Sequence, residues 1–502
     1  VNKTVFFFFG LLFFVGCQSS ETVFNRLVIN ETHDTELRGI WIASVVNIDW
    51  PTKPNLSLDS LKGSYMRILD TYDELNFNAV FVQLRTAGDA LYPSQFAPSS
   101  RFLTGKEGRI IEYDIVPWLI EETHSRNMEF HAWINPYRAT TSLDTTILDH
   151  SHVYYTHPEW IIRYGKKYYL NPGEKGVQDH LLQVITELTK NYEIDGVHFD
   201  DYFYPYKIDG EYFNDSLSYH DRINKSLTVD DWRRKNINEF VAACKKTIYQ
   251  LDSFVQFGIS PFGVWRNKAD DITGSDTRAG QTIYDDLYAD SRHWIEHNSL
   301  DYIAPQAYWS MDYPAASHRV LVDWWADEVG ELPVYMGIGA YKFQNNHDSV
   351  WYDLNEVPRQ IDYSRITEKI DGFIFFSAKT LMRKEILYRK LQRETFLAPA
   401  VTNFQSDWYE YLGVIDVKLT RISNRKWIMT NIPDACKFIE MEILGNNESN
   451  MQNQIMPVVN GAVTMKFSGK NPTERIFYFI NRSGIVSRGF SFQQLLNQST
   501  DE

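Results

Sequence analysis

The sequence predicts an α/β protein: a (β/α)8 TIM barrel followed by a small C-terminal β-sandwich. Three observations carry that prediction. Eight short β-rich apolar runs alternate with longer amphipathic ones between residues 36 and 398. The runs are apolar on both faces, as strands of a parallel sheet covered by helices must be. After about Ala400 the helical patterns stop, and short runs separated by Asn, Gly and Pro take over.

The eight strands are expected at 39–46 (GIWIASVV), 79–85 (AVFVQLR), 128–134 (MEFHAWI), 194–200 (IDGVHFD), 255–260 (VQFGIS), 302–306 (YIAPQ), 334–339 (VYMGIG) and 372–377 (GFIFFS). Helical patterns fall between them at 61–75, 177–192, 228–251, 317–329 and 382–393. Thr228 and Asp231 resemble a capping box at the start of the third, with Asp in place of Glu or Gln. Eight such units in succession imply a closed barrel. An open doubly wound sheet is the alternative, but its Gly-rich phosphate loop is missing: the first strand runs into Asn47, Ile48, Asp49, Trp50 and Pro51. Strand-like runs at 416–421, 426–430, 438–444, 462–467 and 475–480 make residues 399–502 an immunoglobulin- or fibronectin-like accessory domain.

Composition narrows the function. The 502 residues are 43% hydrophobic and 23% charged, the balance of a folded chain with a large core. A net charge of −15 repels nucleic-acid phosphate, so no nucleic-acid partner is expected. Aromatic residues make up 15% of the chain; flat rings suit sugar faces, and most of these are expected in the core. No cofactor or metal is expected. There is no Walker-type loop, and His150, His152 and His157 lie together without an HExxH or a Cys pair, as loop residues. The segment from Ser260 to Phe262 lacks the last glycine of a nucleophile elbow. Cys244 and Cys436 read as buried apolar residues rather than a disulfide.

Residues 5–16 read VFFFFGLLFFVG after Lys3, too short to span a bilayer and suited to the apolar core of a secretory signal. The run ends in Phe14, Val15, Gly16 and Cys17, which resembles the lipobox of bacterial lipoproteins. The resemblance implies a signal peptide over 1–16, lipidation at Cys17, a tether over 17–35 and a lipid anchor in the bacterial envelope. An ordinary signal peptide with an accidental Cys is the alternative.

In a barrel of this kind chemistry sits at the C-terminal ends of the strands. Those ends collect Trp41, Gln83, Arg85, Trp133, Asn135, Tyr137, Arg138, His198, Asp200, Asp201, Tyr202, Gln306, Tyr308, Trp309, Tyr341 and Ser377. Polar groups and large rings at one rim of a buried barrel are costly unless they line a wet pocket. The fourth strand is the sharpest element. Alternation puts His198 and Asp200 on one face, and a carboxylate aimed along the barrel axis can meet an oxocarbenium-like centre. Asp201 turns into the pocket if the strand ends by Pro205, and is then the first choice for acid/base work. The bland alternatives are an ion pair of Asp200 with Arg85 or His198, and Asp201 as a loop cap. Neither the fifth nor the sixth strand ends in an acid. Other donor candidates are Asp89 and the Asp285, Asp286 and Asp290 cluster.

The motifs ELRGIW from Glu36, QLR from Gln83, GDALY from Gly88, WINPYR from Trp133, DGVHFDDY from Asp195, SPFGVWRN from Ser260, YDDLYAD from Tyr284 and DYIAPQAYW from Asp301 resemble the bacterial glycosyl hydrolase-like 10 family, in order, over about residues 36–395. The resemblance implies a (β/α)8 barrel related to α-glycosidases, some of whose members are envelope lipoproteins. At least one such member cleaves peptidoglycan strands that lack stem peptides. It implies a glycoside hydrolase acting on an envelope glycan, with Asp200 favoured as nucleophile or transition-state stabiliser because related barrels carry their nucleophile two residues after a basic one, here His198. Asp201 is the companion acid. Trp41, Arg85, Asp89, Trp133, Asn135, Tyr137, His198, Tyr202, Arg266, Asn267, Gln306, Tyr308 and Trp309 are the expected substrate contacts. The fourth strand also looks like a chitinase motif with its second acid replaced by His198 and its terminal Glu by Tyr202. By that likeness Asp200 instead orients an N-acetyl group for substrate-assisted cleavage, and the proton donor lies elsewhere. A glycan-binding lipoprotein without activity is the rival from another class.

Overall fold

Eight parallel strands close on themselves in the computed structural model, which describes residues 27–28, 35–220, 226–402 and, with short gaps, 417–498. Numbered among themselves, they are β1 Leu37–Ile42, β2 Ala79–Arg85, β3 Glu129–Ile134, β4 Gly196–Phe199, β5 Gln256–Ile259, β6 Tyr302–Ile303, β7 Tyr335–Ile338 and β8 Gly372–Phe376. Consecutive strands pair in parallel, and β8 returns to β1. Bridges Ile303 to Val334 and Gln306 to Gly337 join β6 to β7 and complete the ring. The chain is therefore a (β/α)8 barrel. Cys17 and the apolar leader lie outside the described residues.

Alternation along each strand sorts the side chains. Val80, Val82, Phe130, Ala132, Val197 and Phe199 face the helices, and Leu37, Trp41, Phe81, Trp133, Tyr302, Tyr335 and Ile374 fill the barrel. The interior is packed tightly enough that a Cβ on Gly258 would lie 2.1 Å from the Tyr302 ring, so β5 needs glycine where that ring crosses it. The helices follow their caps. Thr228 Oγ1 accepts the Asp231 N–H at the start of the Val229–Leu251 helix, and the Thr228 hydroxyl donates to the Asp231 carboxylate at 2.7 Å. Thr228→Ala should cost about 1 kcal/mol, measured by urea unfolding. Helices at Val116–His124 and Glu356–Ile366 were not expected from the periodicity.

The C-terminal region is two antiparallel sheets. One is built on Cys436–Ile443 and Arg475–Asn481, the other on Lys418–Ser423, Lys426–Thr430 and Val463–Lys466. Met429 and Met465 from one sheet meet Ile439, Met441, Phe477 and Phe479 from the other. One expectation is corrected here. Helix does not stop at Ala400, because Phe492–Gln498 is helical and buries Leu495 in that core. Within the expected tether, Leu27–Val28 pairs in parallel with Ile485–Val486, since an open sheet edge offers it backbone partners.

Candidate active site

Asp200 sits just past the end of β4, and its surroundings are fixed by backbone groups that can only donate. The N–H groups of Ser44 and Val45 point at Gln83 Oε1, at 3.0 and 2.9 Å. That sets the Gln83 amide, whose Nε2 donates to Asn135 Oδ1 at 2.6 Å. Asn135 Nδ2 must then face Asp200 Oδ2, at 2.8 Å. Gln306 Nε2 and the Asp201 N–H donate to the other oxygen at 3.0 and 2.9 Å. Both Asp200 oxygens thus meet donors. Its expected alternatives as an ion pair are not what the structure holds: neither Arg85 nor His198 reaches it.

Asp201 is the opposite case. Burial holds its carboxyl well above the ordinary range, and the neighbouring Asp200, as a negative charge and as a hydrogen-bond partner, pushes it further. The Tyr206 hydroxyl donates to its Oδ2. Two adjacent carboxyls in such contact do not both ionise, so Asp201 is the one that keeps the proton.

Beneath the pair runs a polar chain down the barrel axis. Trp41 Nε1 can only donate, so His198 Nε2, 3.0 Å away, accepts and His198 Nδ1 carries the proton. That proton goes to the Tyr302 hydroxyl at 3.0 Å, which in turn donates to His131 Nδ1 at 3.1 Å. His131 Nε2 completes the chain on Glu129 at 2.9 Å. Burial holds His198 well below its ordinary value, so it stays neutral. His198 is a floor support and does not line the hollow above it.

The hollow has a volume of about 330 Å3 and is walled by Trp41, Trp133, Tyr202, Tyr206, Tyr308, Tyr341 and Phe376, with Gln83, Arg138, Ser260 and Gln306 between the rings. Of the expected contacts, Trp41, Trp133, Asn135, Tyr202, Gln306 and Tyr308 come together around the acid pair. Tyr206, Val45, Ile48 and Phe376 were missed. Tyr206 stands five residues beyond Asp201 in the aromatic run, which is the signal that pointed to it.

Other expected contacts lie elsewhere. The ladder slips between Gln83 and Arg85, so that Gln83 pairs with Trp133 but Arg85 with Ile134. The bulge carries Arg85 into the layer outside the barrel, where burial pulls its guanidinium down and Tyr92, Asp89 and Glu187 lie nearby. Its Nε and Nη2 have no partner among the described residues. Arg85→Met should leave kcat/KM within about threefold and hold or raise Tm, because an incompletely bonded buried charge stabilises little. Asp89 Oδ1 instead holds its own loop through the Thr86 and Ala87 N–H groups, at 3.2 and 3.0 Å. Tyr137 packs on Phe240 outside the barrel, with ring centroids 5.3 Å apart. Arg266 is engaged by Asp271 and Asp285, both at 2.9 Å, away from the hollow. Asn267 ties a loop together, taking the Ala279 N–H at 2.8 Å. Trp309 turns edge-on to Phe262, at 5.4 Å. Asp285 and Asp286 take bonds from Arg266 and Lys207, and neither stands at the hollow.

An acid pair at a strand end of a closed barrel, over a ring-lined hollow of sugar size, defines a barrel of the glycoside hydrolase class. Comparison with known proteins agrees. The description Glycosyl hydrolase-like 10 matches residues 36–353, and the chain belongs to that family. It is 45% identical to Glycosyl hydrolase YngK of Bacillus subtilis (strain 168) over 402 residues, covering 79% of each chain. It is 36% identical to Glycosyl hydrolase DigH of Escherichia coli (strain K12) over 396 residues, 74% of this chain and 87% of the other. Among solved structures it resembles the glycoside hydrolase domain of PgaB (BpsB) from Bordetella bronchiseptica, with 12% identity, a TM-score of 0.49, and coverage of 72% and 99% of the two chains.

Proposed function

We propose that the protein is a lipid-anchored glycoside hydrolase that cleaves an N-acetylhexosamine-containing envelope glycan, peptidoglycan strands above all, with Asp200 and Asp201 as its working pair. The observation that carries this is two consecutive carboxyls lining one hollow, one meeting donors at both oxygens and the other kept protonated. Both acids come from consecutive residues at one strand end rather than from opposite sides of the hollow. That arrangement suits substrate assistance. Asp200 takes the N–H of a 2-acetamido group and aims its carbonyl oxygen at C1. As the C1–O bond forms, the glycosidic C1–O bond breaks, and Asp201 gives its proton to the leaving oxygen. Water then attacks C1, returns a proton to Asp201 and reopens the ring, so configuration is retained.

The anchor rests on the run ending at Cys17, and the peptidoglycan assignment on the family to which the chain belongs. Purified protein incubated with peptide-free glycan strands should release reducing ends with retained configuration, and a 2-methylthiazoline analogue of the sugar should inhibit it. Tight glycan binding without any release would replace this reading with that of a glycan-binding lipoprotein. Globomycin-sensitive lipid labelling lost in Cys17→Ser is the expected result for the anchor.

A further inference from the structure

Arg138 is the one positively charged residue among the described residues that line the hollow. Its guanidinium lies over Tyr202, with Cζ 4.4 Å from the ring centroid. Its one side-chain hydrogen bond among the described residues runs from Nη1 to the Thr86 carbonyl oxygen at 3.3 Å, and its buried Nε has no partner. Asp201 feels its charge without forming an ion pair with it. A second cation stands beside it. Lys167, half-buried on the Lys167–Leu170 strand next to the Arg138–Tyr169 bridge, is held down by burial and by the like charge of Arg138. It too forms no ion pair among the described residues.

Two neighbouring cations that form no ion pair among the described residues stand out in a chain of net charge −15, where carboxylates outnumber cations. Like charges brought together out of water repel, and the arrangement becomes favourable when an anion arrives. Held over the Tyr202 ring and bonded only to Thr86 among the described residues, the guanidinium is placed to take a planar, singly charged group. A carboxylate fits that description. We propose that Arg138, backed by Lys167, forms a carboxylate subsite that reads an acidic sugar bound next to the Asp200–Asp201 pair. This rests on the proposed glycan substrate and names its chemistry further. The carboxylate is a 3-O-lactyl group on an N-acetylhexosamine or the C6 group of a uronic acid, and blocking it, by amide formation with a peptide for example, removes the recognised charge.

The test separates binding from turnover by using Asp200→Asn protein and titration calorimetry. Two substrate pairs are compared: a peptide-free N-acetylmuramyl oligosaccharide and its methylamide, and a uronic acid oligosaccharide and its methyl ester. The free acid of one pair should bind at least about tenfold more tightly than its neutral partner, as a charge-assisted fork implies, and the gap should narrow in high salt. The pair that shows the gap identifies the source of the carboxylate. Adding Arg138→Met should bring the ratio close to one, and Arg138→Lys, which keeps the charge but loses the fork, should leave part of it. Equal affinity for acid and neutral forms in both pairs, or a ratio untouched by both Arg138 variants, overturns the subsite. Discrimination by protein with an intact Asp200 that never cleaves either glycan would sink the hydrolase reading and leave the subsite standing.

Discussion

Asp200→Asn is expected to lower kcat/KM on N-acetylhexosamine glycan by about 10²–10³-fold, the scale of losing one preorganised group at a reacting centre. The substitution keeps shape and removes charge. It also cannot be accommodated by turning amides, because the chain from Ser44 and Val45 through Gln83 to Asn135 is locked by backbone N–H groups. An amide nitrogen at position 200 must face a donor. Stability should therefore fall by about 1–3 kcal/mol, the cost of a buried polar group left without a partner. Steady-state kinetics and thermal unfolding check the two halves separately. Activity at the parental level would remove Asp200 from the chemistry.

Asp201→Asn is expected to cost about 10²–10⁴ in kcat on a natural glycan, the usual contribution of a positioned acid. The loss should shrink on an aryl glycoside whose leaving group needs no proton. Stability should move the other way from Asp200→Asn. The native pKa of Asp201 is raised, by burial first and by Asp200 second. Its neutral form therefore supports the fold fully below the unfolded value of about 4, and that support is lost as pH rises through the native value. Asn mimics the neutral acid at every pH: its carbonyl takes the Tyr206 hydroxyl and its N–H₂ faces Asp200. The Tm of Asp201→Asn should gain on the parental protein as pH is raised from 4 to 8, while the alkaline limb of the parental kcat/KM profile, displaced above the ordinary carboxylate range, disappears. A limb at the same pH in the variant would assign the proton to another group.

The sequence alone determined the barrel. Strand and helix periods differ, and eight apolar runs at fixed spacing leave few other ways to bury both faces of a sheet. It also determined the β4 acid pair, because the alternation that aims His198 inward aims Asp200 the same way, and the end of the strand frees Asp201. Only the tertiary structure decided the rest of the rim. Arg85 obeys the same alternation as Phe81 and Gln83, yet a one-residue slip against β3 puts it behind the barrel. No local pattern marks that slip, since it is set by the neighbouring strand. Arg266 and Asn267 had acids and a tight loop within 20 residues that could occupy them, a signal that reads only in retrospect once the loop has closed. The protonation states are tertiary as well. They come from burial at the barrel mouth and from contacts across the fold, such as Trp41 on His198, as well as from Asp200 beside Asp201. Periodicity is a property of neighbours along the chain, whereas charge and exposure at a site depend on what the fold brings across it.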